Sequence, residues 1–317
     1  MASEFFSPRP KSTNRNRFTM RVTIFGATGL LGKALMREWA GHEWTGDEIA
    51  GLGSKDVDIR DPQQISDVVR PTGPDWIVLA AAYTDVDGCE VNRELAFDVN
   101  SRGAANVARA AKQCGSRLLF LSTDYVFDGT KTTPYETDDP RAPRSVYGRS
   151  KAQAEDQLAQ LLPGCCILRA SWLFGVGGKC FPDTILKLAA TRPELDVVND
   201  QRGSPTYAPD LARAIVQLCR AGAQGIVHAT NRGECSWFEF AREIVAGAGF
   251  KTVVRPTTSD KFVRPAERPK YSVLSPRSLE KYGIVMPAWQ DALRRYLEIG
   301  VQPSGYANVR DSGHRKS

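Results

Sequence analysis

A glycine-rich turn near the amino terminus constrains the fold of this chain more than any other feature of its sequence. Gly26, Gly29 and Gly32 are separated by two residues each, directly after the β-branched run Arg21–Phe25. An apolar-periodic segment follows the turn and reaches about Trp39. This context predicts a strand, a tight turn and a helix, because Gly26 permits the turn and Gly32 permits close packing of the helix on the strand.

Strand and helix patterns continue to alternate through the first half of the chain. Strands are predicted at 48–52, 76–82, 117–122 and 165–169, and helices at 62–69, 94–114 and 145–162. Alternating strands and helices imply right-handed crossovers between parallel strands. The predicted fold class is therefore α/β, a Rossmann-type doubly wound parallel sheet.

After about residue 171 the pattern loosens, and proline and glycine separate helices predicted at 181–191, 209–221, 236–248, 275–282 and 289–300. We expect a dinucleotide-binding Rossmann domain over 20–170, to which a segment near 205–230 returns. A smaller mixed α/β substrate lobe is expected over 171–300, at the carboxyl ends of the sheet, where ligands bind in such folds. Residues 1–19 are interpreted as a leader or tag and 301–317 as a flexible tail.

Charge and cysteine usage exclude several classes of protein. The formal charge of +6 comes mainly from the two ends, since residues 1–20 carry +3 and residues 301–317 carry +2. No basic face for nucleic acid is implied. No run approaches the roughly 18 apolar residues of a membrane span. The seven cysteines contain no CxxC pair, which favours the cytoplasm and argues against a zinc site.

The glycine turn also indicates a dinucleotide. Backbone amides at the start of the helix can approach a pyrophosphate, which places the cofactor against Gly26, Thr28, Gly29, Leu30, Leu31 and Gly32. Asp58 and Ile59 are expected to cover the adenine, and Ala80, Ala81 and Ala82 to approach a ribose. The second strand ends at Gly53-Ser54-Lys55 without a carboxylate, and Asp47 precedes that strand. Since a lysine tolerates a 2′-phosphate, NADPH is favoured and NADH stays open.

Three residues form a candidate proton-transfer set. Tyr147 and Lys151 are one helical turn apart, on one face of the predicted helix. An ammonium beside the phenol would lower the ordinary tyrosine pKa of about 10 and bring proton transfer into range. The same lysine could hold the nicotinamide ribose. Thr123 ends a strand, where its hydroxyl could orient a substrate carbonyl.

Several segments together resemble extended short-chain dehydrogenases, and within them the dTDP-4-dehydrorhamnose reductases. The resemblance covers about residues 20–300 and is carried by the glycine turn and by the segments 80–87, 122–129, 147–151, 169–172, 200–206 and 268–272. It implies reduction of the C4 ketone of dTDP-4-dehydro-β-L-rhamnose, with Tyr147 protonating the new alkoxide. It also implies that Thr123 and Asp124 contact the sugar, Tyr125 lines the pocket, Trp172 covers the sugar ring and Arg268 binds the nucleotide diphosphate. A homodimer is compatible with it.

The chain departs from the family's pattern at two places. Cys180-Phe181 stands where Asn-Phe is frequent, which leaves substrate contacts there open. Some members hold Mg²⁺ at a dimer interface through acidic residues, but the position aligned in the first helix is Ala34, so no metal ligand is transferred.

Competing functions stay open at this point. A nucleotide-sugar epimerase or 4,6-dehydratase would share the fold, but a dehydratase has Asp-Glu after the strand-end threonine, and here Tyr125 follows Asp124. A reductase of opposite C4 stereochemistry would yield a 6-deoxytalose. A non-catalytic regulatory subunit is a third alternative, and the presence of Thr123, Tyr147 and Lys151 argues against it.

Overall fold

The computed structural model describes residues 19–44 and 46–300, and a six-stranded parallel sheet lies at its centre. The predicted tail, and the predicted leader apart from Thr19, lie outside the described residues. The strands of the chain are β1 (Arg21–Phe25), β2 (Glu48–Leu52), β3 (Trp76–Leu79), β4 (Arg117–Thr123), β5 (Cys166–Ala170), β6 (Leu173–Phe174), β7 (Glu194–Val198), β8 (Arg202–Gly203), β9 (Thr206–Tyr207), β10 (Gly225–His228), β11 (Cys235–Ser236) and β12 (Val253–Thr257).

Helices cover both faces of this sheet. The α-helices of the described residues are α1 (Leu30–Trp39), α2 (Pro62–Thr72), α3 (Val86–Val91), α4 (Arg93–Phe97), α5 (Ala104–Cys114), α6 (Val146–Leu161), α7 (Phe181–Ala189), α8 (Ala208–Ala221), α9 (Trp237–Gly247), α10 (Arg277–Glu280) and α11 (Trp289–Gly300). Helices α1 and α8 pack on one face of the sheet, and α2, α5 and α6 on the other. Because both faces are covered, β3 is apolar and buried along its whole length.

The strand order is β10-β5-β4-β3-β1-β2, with all neighbours parallel. The chain winds outward from β1 in one direction to β2 and in the other through β3, β4 and β5 to β10. This order confirms the predicted doubly wound sheet. The reversal of winding lies between β1 and β3, at the carboxyl ends where such folds bind ligands.

The part of the chain after β5 builds a separate apolar core from α7, α9 and α11. Phe174, Phe240, Ile244 and Trp289 are buried in it. Small pairs of strands frame this core, with β7 parallel to β12, β6 parallel to β9, and β8 antiparallel to β11. Helix α8 and strand β10 instead join the central sheet and its flanking layer.

Several predicted elements were wrong in extent, among them α2, which runs to Thr72 rather than 69, and α10, which is half as long as predicted. Strand β3 ends at Leu79 rather than at 82, and residues 80–82 continue without strand pairing. The helix predicted at 94–114 is interrupted by a π-helical segment, Asp98–Gly103, between α4 and α5. The interruption coincides with buried Asn100, whose side-chain oxygen accepts from the Tyr83 amide at 2.7 Å and whose nitrogen donates to Ser150 Oγ at 3.0 Å. An extra residue in a helical turn commonly marks a functional site.

Candidate active site

A cavity of about 720 Å³ opens at the carboxyl ends of β1, β3 and β4. We call it the turn cavity, since the β1–α1 glycine turn forms its floor. It is lined by Gly26, Thr28, Gly29, Leu30, Leu31, Gly32, Asp58, Ile59, Ala80, Ala81, Ala82, Thr123, Asp124, Tyr125, Tyr147 and Trp172. The structure therefore brings together residues from six sequence segments that were singled out separately.

The glycine turn packs closely against neighbouring backbone, and the absence of side chains at its glycines leaves the adjoining space open to a ligand. Gly26 has φ +90°, and a Cβ there would lie 2.6 Å from the amide nitrogen of Ala81. A Cβ on Gly32 would lie 2.1 Å from the Gly26 carbonyl oxygen. Gly29 is the N-cap of α1 and supplies no side-chain acceptor. The first amides of α1 are thus open to an anion, as a pyrophosphate requires.

The far end of the turn cavity is lined by Gly53, Ser54, Asp58, Ile59 and Arg60. The Asp58 carboxylate accepts two bonds from Arg60 Nε, at 2.9 and 3.0 Å. These bonds hold the pKa of Asp58 below its usual value. The sequence analysis did not assign Arg60 or Ser54 to the cofactor site. The absence of an acid after β2 was a sign that a cation lies nearby.

Neither Asp47 nor Lys55 lines this cavity. Asp47 accepts from the Met20 amide at 2.9 Å and pairs with Arg220 at 2.7 Å, so its side chain is buried in a structural contact. Lys55 is exposed on the turn that follows β2. The sequence argument for NADPH relied on Lys55 lying near the 2′-phosphate. That placement is wrong, because the chain turns at Gly53 and Lys55 lies outside the cavity.

Helix α6 presents Tyr147 to the turn cavity. The helix begins at Ser145, whose side chain accepts from the Gly148 amide at 3.1 Å. Gly148 is required there, since a Cβ would lie 2.2 Å from the Tyr125 carbonyl oxygen. The hydroxyls of Tyr147 and Thr123 share a hydrogen bond, and burial raises the pKa of Tyr147 above its usual value.

Lys151, predicted to bind the cofactor, is buried and does not line the turn cavity. Its ammonium donates to the Leu121 carbonyl oxygen at 2.5 Å and lies 4.0 Å from the centre of the Phe120 ring. Burial lowers the pKa of Lys151 to about 7. The expected lowering of the Tyr147 pKa by this ammonium was wrong for the unliganded site, because desolvation dominates both groups and the lysine faces β4.

Asp124 is the most deeply buried carboxyl of the site. Its Oδ1 accepts from the Thr123 hydroxyl at 3.0 Å, while the Thr123 oxygen accepts from the Tyr125 amide at 3.2 Å. Burial raises the pKa of Asp124 to about 7. A group with this pKa changes charge near neutral pH.

Trp172 is held in a left-handed backbone conformation, with φ 46°. Its ring stacks on Trp237 with 3.5 Å between ring centroids and 7° between planes. Trp237 begins α9 after the Ser236–Glu239 capping box and also lines the turn cavity. Sequence analysis missed Trp237, although the capping box was a readable sign that a helix starts beside it.

Arg268 lines a second and larger cavity, of about 1870 Å³, which we call the lobe cleft. Its guanidinium binds the Asp87 carboxylate through two bonds, at 2.9 and 2.8 Å, and holds the pKa of Asp87 below its usual value. Arg268 is therefore separated from the turn cavity and already paired. Tyr125 and Trp237 line both cavities and connect the two sites.

The Cys180-Phe181 pair directs its side chains to different places. Cys180 is the buried N-cap of α7, while Phe181 lies 4.5 Å from the Trp237 ring centroid and lines the lobe cleft. Lys179, just before this pair, lines the turn cavity.

The described residues contain neither a metal-ligating cluster nor a helix fit to cross a membrane. No group of three or more His, Cys, Asp or Glu side chains there is arranged to hold a metal ion. None of the helices described there is both long and apolar enough to cross a membrane.

Comparison with known proteins extends these observations. Residues 20–301 match the family model of the RmlD substrate binding domain. The chain is 40% identical to the spore coat polysaccharide biosynthesis protein SpsK of Bacillus subtilis, over 88% of this chain and 97% of that protein. It is also 40% identical to a dTDP-4-dehydrorhamnose reductase of Mycobacterium tuberculosis, over 87% of this chain and 92% of that protein.

A solved structure shares the same architecture. The dTDP-4-dehydrorhamnose reductase of Bacillus anthracis, crystallised in complex with NADP, superposes with a TM-score of 0.85 at 39% identity, covering 89% of this chain and 99% of that one. The match extends through the central sheet and through the lobe that follows it. The chain belongs to the RmlD substrate binding domain family.

Proposed function

We propose that this protein is an oxidoreductase that uses NADPH to reduce the C4 ketone of dTDP-4-dehydro-β-L-rhamnose to dTDP-β-L-rhamnose. The observation that carries the proposal is the turn cavity, in which a glycine turn open to a pyrophosphate faces a tyrosine–threonine pair and a tryptophan. The printed names of the relatives at 40% and 39% identity support the same reaction.

The proton-transfer chemistry follows from the residues of the chain. The bound nicotinamide supplies the hydride. Tyr147 gives its hydroxyl proton to the O4 alkoxide, since a phenol with a raised pKa keeps that proton until a stronger base forms. Thr123 hydrogen-bonds the C4 carbonyl and fixes it beside Tyr147. Lys151 would hold the nicotinamide ribose by exchanging its bond to the Leu121 carbonyl for one to a ribose hydroxyl.

The substrate would span both cavities. Trp172, Asp124 and Tyr125 contact the sugar in the turn cavity, and Arg268 contacts the diphosphate from the lobe cleft. A guanidinium suits a diphosphate because it offers paired donors. Arg268 would then exchange one bond to Asp87 for a phosphate oxygen, with Arg264 nearby, 3.8 Å from the same carboxylate.

NADPH is proposed over NADH because Ser54 and Arg60 line the cavity beyond β2, where the carboxylate of Asp58 is already paired with the Arg60 guanidinium. We expect Arg60→Ala to raise the KM for NADPH by about tenfold, because the variant loses roughly one charge-assisted hydrogen bond to the 2′-phosphate. The KM for NADH should stay nearly unchanged. Equal effects on both cofactors would overturn this role for Arg60.

The direct test is a coupled assay with the 4-keto sugar made in place, run with each cofactor in turn. Oxidation of NADPH and a product with the rhamno configuration by NMR are expected. A 6-deoxytalose product would overturn the stereochemistry, and failure to oxidise either cofactor would overturn the reductase.

A further inference from the structure

Thr123 has three hydrogen-bonding neighbours but only one hydroxyl proton. Its oxygen accepts from the Tyr125 amide at 3.2 Å, and it donates to Asp124 Oδ1 at 3.0 Å. It also shares a hydrogen bond with Tyr147. Because a hydroxyl has one proton and two lone pairs, Thr123 can donate to Asp124 or toward the cavity, but not to both.

The charge of Asp124 is only weakly compensated. The side chain is 2% exposed, and its Oδ2 has no partner that meets hydrogen-bond geometry among the described residues, although the Ser272 hydroxyl acts to lower the pKa of Asp124. The ionisable groups that interact with it are Tyr125, next in the chain, and Tyr147 of α6. Arg268 and Arg264 act on Tyr125, and Cys89 of α3 acts on Tyr147. None of the ion pairs formed within the described residues includes Asp124, and Arg268 is bound to Asp87.

We propose that Asp124 is a positioning residue whose protonation state decides whether Thr123 donates its hydroxyl proton into the turn cavity. This inference rests on the proposed function, since the acceptor in the cavity is the C4 carbonyl of the sugar. With Asp124 ionised, the carboxylate retains the Thr123 proton, because a bond to a charged acceptor is about twice as strong as one to a neutral acceptor. With Asp124 protonated, that hold weakens and Thr123 is free to bind the carbonyl.

Two further effects act in the same direction. Burial raises the pKa of Asp124 to about 7, so the change falls within the working range of pH. An ionised Asp124 also raises the pKa of Tyr147, which makes the phenol a weaker acid toward the alkoxide. Ionisation of Asp124 therefore slows reduction through both Thr123 and Tyr147.

The test compares the pH dependence of kcat in the wild type and in Asp124→Asn. An asparagine has nearly the same shape, accepts from Thr123 and cannot ionise. We expect wild-type kcat to fall about tenfold between pH 6 and pH 8.5, and kcat of the variant to change less than about twofold over the same range. Asp67→Asn, an exposed carboxyl on α2 that bonds Gln63, is the matched control and should keep the wild-type fall.

The result that overturns the proposal is an alkaline fall that persists in Asp124→Asn, since it would then belong to Lys151 or another group. Infrared titration of the unliganded protein gives a readout that does not depend on turnover. It should show a protonated carboxyl band that disappears near pH 7 in the wild type and is absent from Asp124→Asn. If this band is present but the 4-keto sugar is not reduced, the proposed substrate is wrong while the titration of Asp124 stands.

Discussion

At the scale of single residues, the site is governed by desolvation. Tyr147, Lys151 and Asp124 are each shifted toward their neutral forms, with burial as the largest cause in every case. Sequence spacing identified Tyr147 and Lys151, because a tyrosine and a lysine one turn apart must share a helix face, whereas Asp124 was implied by the family resemblance. It could not indicate that Lys151 turns to the Leu121 carbonyl, since this depends on how closely α6 packs against β4.

Removing the phenol hydroxyl tests the proton donor. We expect Tyr147→Phe to lower kcat by about 10²- to 10⁴-fold, the usual contribution of a general acid. The reason is that Tyr147 is the only proton donor that α6 places beside Thr123 among the described residues. The dissociation constant for NADPH, measured by fluorescence titration, should stay within about threefold of the wild type, since the ring remains in place.

Tyr83→Phe is the control for this experiment. Tyr83 carries a hydroxyl that bonds only weakly to Asn92, at 3.4 Å, and lies outside the turn cavity. It should leave kcat near the wild-type value. Wild-type turnover by Tyr147→Phe would remove Tyr147 from the chemistry.

At the scale of elements, sequence patterns were most accurate where period and caps agree. Strands β1 and β2 and helix α11 have the predicted bounds, and α6 begins one residue after its predicted start, because Ser145 is its N-cap. The π-helical segment was missed because helical periodicity continues through it. Its cause is the inward bonding of Asn100 to Tyr83 and Ser150, which come from distant parts of the chain.

The β1–α1 turn offers a pair of substitutions with opposite consequences. In Gly32→Ala, the new methyl would meet the Gly26 carbonyl oxygen at 2.1 Å and the Ala27 backbone at 2.6 Å. Since backbone must move, we expect a loss of about 1–3 kcal/mol or more in the free energy of unfolding, measured by urea denaturation.

In Gly29→Ala, the nearest atom to the new methyl is the Gly26 oxygen at 3.3 Å, so the fold should survive with little loss. The methyl would instead occupy the approach to the first amides of α1, and we expect NADPH affinity to fall by about tenfold. Unchanged NADPH affinity in Gly29→Ala would show that the glycine turn does not bind the pyrophosphate.

At the scale of the whole molecule, a buried polar row crosses the sheet one residue before the site. Ser122, Arg169 and His228 are neighbours on β4, β5 and β10, and Glu155 of α6 accepts from Ser122 at 2.5 Å and from Arg169 at 2.7 Å. Four separated segments supply this row, so no local pattern could predict it. It fixes the end of β4, and hence Thr123, to the helix that carries Tyr147.

This row and the site give folding stability a pH dependence with two opposing contributions. Burial lowers the pKa of His228 to about 3 and raises the pKa of Asp124 to about 7. Between pH 4 and 6.5 the unfolded chain protonates His228 and the folded protein does not, so this group stabilises the fold as pH rises. In the same range the folded protein holds a proton on Asp124 that the unfolded chain has lost, so this group destabilises the fold as pH rises.

Because the two slopes have opposite signs, removing either group should expose the other. We expect His228→Gln, relative to the wild type, to gain stability as pH falls from 6.5 to 4, and Asp124→Asn to gain stability as pH rises over that range. Each change should be on the order of 1 kcal/mol per pH unit, the value for one proton. Urea unfolding at half-unit intervals measures both slopes, and changes of the same sign in the two variants would contradict the assignment. Opposite signs would show that His228 of the polar row and Asp124 have opposing effects on the pH dependence of stability.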